Sequence, residues 1–126
     1  MKYSMILIIC LLAPEAYAAD SCDNAVSDPE INECASKDFD RADAALNHSY
    51  KKVLADLDAL GKDMSEAVQA KHELIAAQRQ WVAFREADCN AVFTLNKGGT
   101  VRTLMYLSCM SSHAAQRTKE LDTFIQ

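Results

Sequence analysis

Apolar residues recur along most of the chain at steps of three and four, the spacing of one face of an α-helix. The stripe is clearest over Phe39, Ala42, Leu46, Tyr50, Val53, Leu57 and Leu60. Asp38, Asp40, Lys51, Lys52, Asp56 and Asp58 lie mostly off it, and the pattern predicts a helix from about Lys37 to Leu60. Gly61 stands where a left-handed residue would end that helix. Upstream, Asp28-Pro29-Glu30 reads as the start of a separate short helix carrying Cys34, with a cap residue, proline at the first helical position and an acid beside it. Downstream, Asp63 or Ser65 opens a second long helix, with Glu66 in the first turn, where the helix dipole favours an acid. Its apolar face runs through Val68, Leu74 or Ile75, Trp81, Phe84 and Val92. Nothing breaks the pattern before Asn96-Lys97-Gly98-Gly99, so this helix is expected over about 65–94. Thr100 is placed to cap a last helix, whose apolar side holds Val101, Leu104, Met105, Leu107, Leu121, Phe124 and Ile125. Between Ser111 and Gln116 the pattern is weak, and loose packing is expected there. The fold class that follows is all-α: a small antiparallel helical bundle, with a short N-terminal helix and three longer ones.

The beginning of the chain has a different character. Lys2 supplies a positive start, Met5 to Leu12 is an apolar run, and Ala16-Tyr17-Ala18 is a small-x-small cleavage site. Residues 1–18 therefore read as a secretory signal peptide cleaved after Ala18, and 19–126 as a single helical domain with a polar arm from Ala19 to Ser27. The apolar run is too short to span a bilayer as a helix. The expected location is periplasmic or secreted.

Export gives the cysteines a meaning. Cys10 leaves with the signal, and Cys22, Cys34, Cys89 and Cys109 remain. An even count in an exported chain implies two bridges. Cys89 and Cys109 are centred on Gly99, inside the turn between the last two helices. Residues equidistant from a tight turn meet across an antiparallel pair, so Cys89–Cys109 is the expected staple. Cys22–Cys34 is then the other bridge, tying the arm to the first helix. Each closed loop is worth roughly 3 kcal/mol in the chain-entropy model. No Cys-x-x-Cys spacing suggests zinc or thioredoxin-like chemistry.

The net charge is −5, and removal of Lys2 and Glu15 with the signal leaves it unchanged. A chain that is acidic overall lacks the basic excess of a nucleic-acid or anionic-membrane binder and suits a cationic protein partner. Candidate chemistry is sparse. His72-Glu73 lacks the second histidine of a zinc protease, and no Gly-x-Ser-x-Gly elbow or phosphate-binding loop is present. Asp38, Asp40 and Asp43 are expected to be an acidic first turn and not a cation site, because the glycine and terminal glutamate of an EF-hand are missing. No cofactor or metal is expected. An enzyme would need His113, Asp88 and Arg117 to converge in a pocket.

Two segments stand out. Gln78-Arg79-Gln80-Trp81-Val82-Ala83-Phe84-Arg85 reads most simply as architecture, with Trp81 and Phe84 as core anchors. Arg85, one turn from Trp81, would need an acid partner if buried, with Asp43 or Asp88 the candidates. Lys97, Gly98, Gly99, Thr100 and Arg102 form a glycine turn that displays two cations at the end of a stapled hairpin, the candidate partner-binding site.

These residues carry a family resemblance. Ala42-Asp43, Leu46-Asn47 and Tyr50 resemble the first-helix pattern of the LprI-like family. Ala77-Gln78-Arg79, Trp81, Phe84-Arg85 and Cys89 match its central motif, and Gly98-Gly99-Thr100, Cys109, Arg117 and Leu121 complete the likeness. Glu86 stands where the family usually has aspartate, and Ala114 where it often has threonine. The resemblance covers about Cys22 to Leu121. It implies a small exported bacterial protein of a type named for a lysozyme inhibitor. The function expected from it is binding and inhibition of lysozyme-type peptidoglycan hydrolases. The alternative is an envelope interaction or immunity module that binds another protein without catalysis.

Overall fold

The computed structural model describes residues 21–125, so the expected signal peptide and its cleavage point lie outside the described residues. A single 3₁₀ turn (Ser21–Asn24) leads into α1 (Asp28–Leu60), α2 (Ser65–Leu95) and α3 (Arg102–Asp122). Among the described residues there is no strand, as the periodicity requires. The separate short helix expected at Asp28 is instead the first part of α1. No glycine or proline stands between Pro29 and Gly61, so nothing stops the helix once it has nucleated. The short N-terminal piece is the 3₁₀ turn.

Helix ends show how local chemistry and geometry divide the work. Ser27, not Asp28, caps α1. Its side chain accepts the Glu30 N–H at 3.5 Å, and the Glu30 carboxylate takes the Ser27 N–H at 3.0 Å, the Ser27 hydroxyl at 2.8 Å and the Val26 N–H at 3.2 Å. This reciprocal box satisfies donors that the first turn leaves open. The Ser27 backbone N–H, then its hydroxyl and the Val26 N–H, hold the Glu30 carboxyl below its ordinary value of 4.5.

Gly61 does not take the expected left-handed conformation. Its φ is −64° and ψ −10°, because the turn continues helically: Gly61 donates to the Leu57 carbonyl at 2.9 Å and Met64 to the Leu60 carbonyl at 3.0 Å. Glycine serves here by its missing side chain, since a Cβ would stand 2.9 Å from Val68 Cγ2. Met64 precedes α2 without a side-chain cap, and Val101 does the same for α3. Thr100 lies one residue too early to cap.

The core runs between all three helices, with α1 against α3 the most extensive contact. Leu46, Val53 and Leu57 from α1 meet Ala67 and Leu74 from α2 and Ala114 and Leu121 from α3. Burying each leucine is worth about 1.5–3 kcal/mol. The middle of α3, where loose packing is expected, is divided: Ser111 and Ser112 line an open groove beside Cys22, Cys34 and Ala35, while Ala114 sits in the core. Ala114 is 0% exposed and Met110 is buried beside the same face. Small side chains at Ser111 and Ala114 weaken the pattern, although Ala114 belongs to the core cluster. The apolar residues at the ends of α3, Val101, Met105, Phe124 and Ile125, are the exposed ones.

The buried face of α2 is Ala67, Leu74, Gln78, Arg85 and Cys89, a repeat of seven and four. It is rotated from the apolar face expected from sequence. Phe84 is 57% exposed and is no core anchor, while its neighbour Arg85 is 6% exposed. Trp81 does pack against the core.

Candidate functional site

Antiparallel α2 and α3 form a hairpin that closes at residues 96–101. Cys89 and Cys109 are joined across it with Cα atoms 5.6 Å apart, and Cys22–Cys34 ties the arm to α1 with Cα atoms 5.5 Å apart. Both pairings are those expected from the symmetry of the turn. At a rise of about 1.5 Å per residue, the Cys89–Cys109 bridge lies roughly 10 Å below the ends of the helices.

The turn itself is ordered by backbone and amide contacts. Asn96 Nδ2 donates to the Val92 carbonyl at 2.8 Å, Lys97 N–H to Thr94 at 3.2 Å, and Gly99 N–H to Asn96 at 3.0 Å. Lys97, Gly98, Gly99 and Thr100 are all exposed, and a Cβ on Gly98 would meet nothing within 4 Å. Leu95 stands beside them, 86% exposed.

The two cations are not equivalent. The Arg102 guanidinium lies over the Phe93 ring, 5.7 Å from its centroid, and donates to the Lys97 carbonyl at 3.4 Å. Arg102 therefore holds the turn. Among the described residues, no side chain pairs with the Lys97 ammonium, which is the one of the two that projects freely.

From the tip down past the bridge runs a brace that sequence reasoning missed. Phe93 meets Tyr106 edge-on at 6.2 Å, and the Tyr106 hydroxyl donates to Glu86 Oε2 at 3.1 Å. Burial, then the hydrogen bond to Glu86 and its charge, push the Tyr106 phenol above 10.0. The only hint in the sequence is spacing: Arg102 and Tyr106 are four apart on α3, and Glu86 and Phe93 seven apart on α2.

The remaining motif residues are mostly architectural. Arg85 Nη1 donates to Asp43 Oδ1 at 2.8 Å, and its guanidinium lies 5.0 Å from the Trp81 ring centroid and 5.5 Å from that of Phe39. Of the two expected acid partners, Asp43 takes it. Buried Gln78 accepts from Arg117 Nε at 3.0 Å, and Arg117 Nη1 donates to Glu120 at 2.8 Å, which lowers the Glu120 pKa. Arg79 points to solvent. The acidic cluster is not a first turn: α1 begins ten residues before Asp38, which pairs with Arg41, while Asp43 also accepts from Asn47.

His113 and Asp88 meet at 2.8 Å, with Phe84 edge-on to the imidazole at 5.6 Å. Arg117 does not join them. The groove it lines is bounded by Ala70, Glu73, Leu74, Ala77 and Phe124. The three residues required for an enzyme therefore do not share a pocket. Asp88, Cys89, Cys109 and His113 do bring one ligand atom each within 4.8 Å of one another, but the two sulfurs are bonded together.

No helix among the described residues is long and apolar enough to cross a membrane. The family model for the lysozyme inhibitor LprI matches residues 19–121. An uncharacterized protein of Rhizobium meliloti (strain 1021), R02472, is 29% identical over 126 residues, which cover 95% of this chain and 91% of that protein. No solved structure matches the chain at a significant level.

Proposed function

Because the chain belongs to the LprI family, we propose that it inhibits a lysozyme-type peptidoglycan hydrolase through the tip of the α2–α3 hairpin. The observation that carries this reading is Lys97: an unpaired ammonium at the end of a turn held by Arg102, Phe93 and Tyr106 and stapled by Cys89–Cys109. Glycosidase clefts carry two carboxylates. An ammonium placed between them would neutralise the charge on which catalysis depends. A turn that is already rigid loses little conformational freedom on binding. The exposed Leu95 beside it offers apolar area to the rim of such a cleft. The net charge of −5 would speed encounter with a basic hydrolase and make that encounter sensitive to salt.

Two disulfides suit an oxidising compartment, in keeping with export through residues 1–18 to the periplasm or beyond. The test is lysis of bacterial cell walls by lysozymes of several types in the presence of the mature protein. Lys97→Ala is expected to weaken inhibition about tenfold or more, the worth of one charge-assisted hydrogen bond. Absence of inhibition for every type at micromolar protein would remove the reading.

A second reading is favoured by Phe84, an aromatic of the central motif that lies 57% exposed on the outside of α2. On this reading the chain binds another envelope protein through the α2 face. Loss of binding in Phe84→Ala with Lys97→Ala unaffected would select it.

A further inference from the structure

The hairpin bridge has a ligand set built around it. Cys109 and His113 are one turn apart on α3, the i, i+4 spacing that aims two side chains at one point. Asp88 and Cys89 approach from α2. The four ligand atoms lie within 4.8 Å of one another, with His113 Nε2 2.8 Å from Asp88 Oδ2. Cys89 is fully buried, His113 and Cys109 are half-buried, and Asp88 reaches water, so the set has a dry floor and an open side. Among the described residues, Cys22 and Cys34 have no such group around them.

We propose that reduction of the Cys89–Cys109 bond converts this cluster into a tetrahedral zinc site with Cys89, Cys109, His113 and Asp88 as ligands. The donor chemistry selects the ion: two thiolates and an imidazole suit zinc and not calcium or magnesium. The Cα atoms of Cys89 and Cys109, 5.6 Å apart, bring both thiols to one place without backbone rearrangement. Zinc–sulfur bonds of about 2.3 Å in a tetrahedron put two thiolates about 3.8 Å apart, so the sulfurs, 2.01 Å apart in the disulfide, separate by side-chain rotation once the bond is reduced. The proposal is independent of the inhibitory reading.

The reductant is a dithiol. One of its thiolates attacks a bridge sulfur, the Cys89–Cys109 bond breaks, and a mixed disulfide forms. Its second thiol resolves that bond. The donor leaves as its own disulfide, and two electrons and two protons have passed to the cysteines. Zinc then displaces both thiol protons to solvent, and the exchange of hydrogen bond for metal bond at His113 frees Asp88 to complete the site.

The test uses the full mature chain, reduced with a phosphine without oxygen and titrated with cobalt(II), then zinc. One equivalent of cobalt should give a thiolate charge-transfer band and the strong visible bands of a tetrahedral site, and zinc should erase both. Cys22→Ser/Cys34→Ser should retain the spectrum. His113→Ala and Asp88→Ala should each weaken affinity about tenfold or more. If the reduced chain unfolds, one equivalent of zinc should restore its helical circular dichroism. The proposal is overturned by equal cobalt binding in Cys89→Ser/Cys109→Ser, by unchanged affinity in His113→Ala, or by zinc that leaves an unfolded reduced chain unfolded.

Discussion

Arg85 on α2 reaches Asp43 on α1 across 42 residues of sequence, with Nη1 2.8 Å from Oδ1. The two ends of this ion pair sit in different surroundings. The Arg85 side chain is 8% exposed and stacked against Trp81 and Phe39, whereas that of Asp43 is 32% exposed. Arg85 Nε is buried without a hydrogen-bond partner.

Removing either residue should therefore cost different amounts. Asp43→Ala leaves the buried guanidinium its weaker contact with Glu86, 3.9 Å from Nη2, and is expected to destabilise by about 2–3 kcal/mol, less than a fully buried pair because water also reaches part of Asp43. Arg85→Met keeps the apolar stem, removes the unpaired Nε and leaves a carboxylate that can hydrate, so its cost should be smaller. Urea denaturation of both variants checks the order. A larger loss for Arg85→Met would show that stacking, not charge, dominates.

Ala114 on α3 is fully buried in the core with Leu46, Val53 and Leu57 of α1. Ala114→Leu should destabilise by about 1–3 kcal/mol through overpacking. Ala115→Leu, one residue on and exposed, should change stability by less than about 0.5 kcal/mol. Thermal unfolding of the pair distinguishes a packed α3 centre from a loose one.

The disulfides should not be equal. Without Cys89–Cys109, both the hairpin and its tip lose their constraint, at a cost of roughly 3 kcal/mol. Without Cys22–Cys34, the arm frays while the α1–α3 core stays folded, so the entropy that the bridge removed is no longer lost on folding. Cys22→Ser/Cys34→Ser should leave the unfolding midpoint of the core within a few degrees of the native chain. Amide exchange should quicken at 95–102 only in Cys89→Ser/Cys109→Ser.

Tyr106 links the hairpin to alkaline pH. A phenol whose folded pKa is raised contributes stability below the unfolded value and loses it as pH rises through the folded value. The hairpin should therefore weaken above 10.0, as Tyr106 ionises beside Glu86. Glu86→Gln removes the charge and should bring the Tyr106 titration down towards 10.0, read as tyrosinate absorbance. No downward movement would mean that burial alone raises it.

Much of the candidate site was legible. The Gly98-Gly99 turn and the equal distances of Cys89 and Cys109 from it locate both tip and staple. The brace was not, because Glu86, Phe93, Arg102 and Tyr106 are unremarkable on their own helices and become a ladder only when α2 and α3 pack. The different fates of Lys97 and Arg102 were equally hidden: both are cations at a turn, and only the position of the Phe93 ring separates them.

Sequence by itself determined the number and order of the long helices and, apart from the start of α1, their approximate limits, since helical periodicity and breakers act over three or four residues. It also determined the pairing of the cysteines, which depends on their place relative to the turn. The stripe of α1 also named its inward face, Leu46, Val53 and Leu57, but tertiary structure alone decided which edge of α2 faces inward. Phe84 and Arg85 differ by one step, about 100° around the axis, so a local pattern assigns the aromatic to the core. Asp43, Trp81 and Phe39 give the buried guanidinium a carboxylate and two aromatic faces, and only packing brings them to one place.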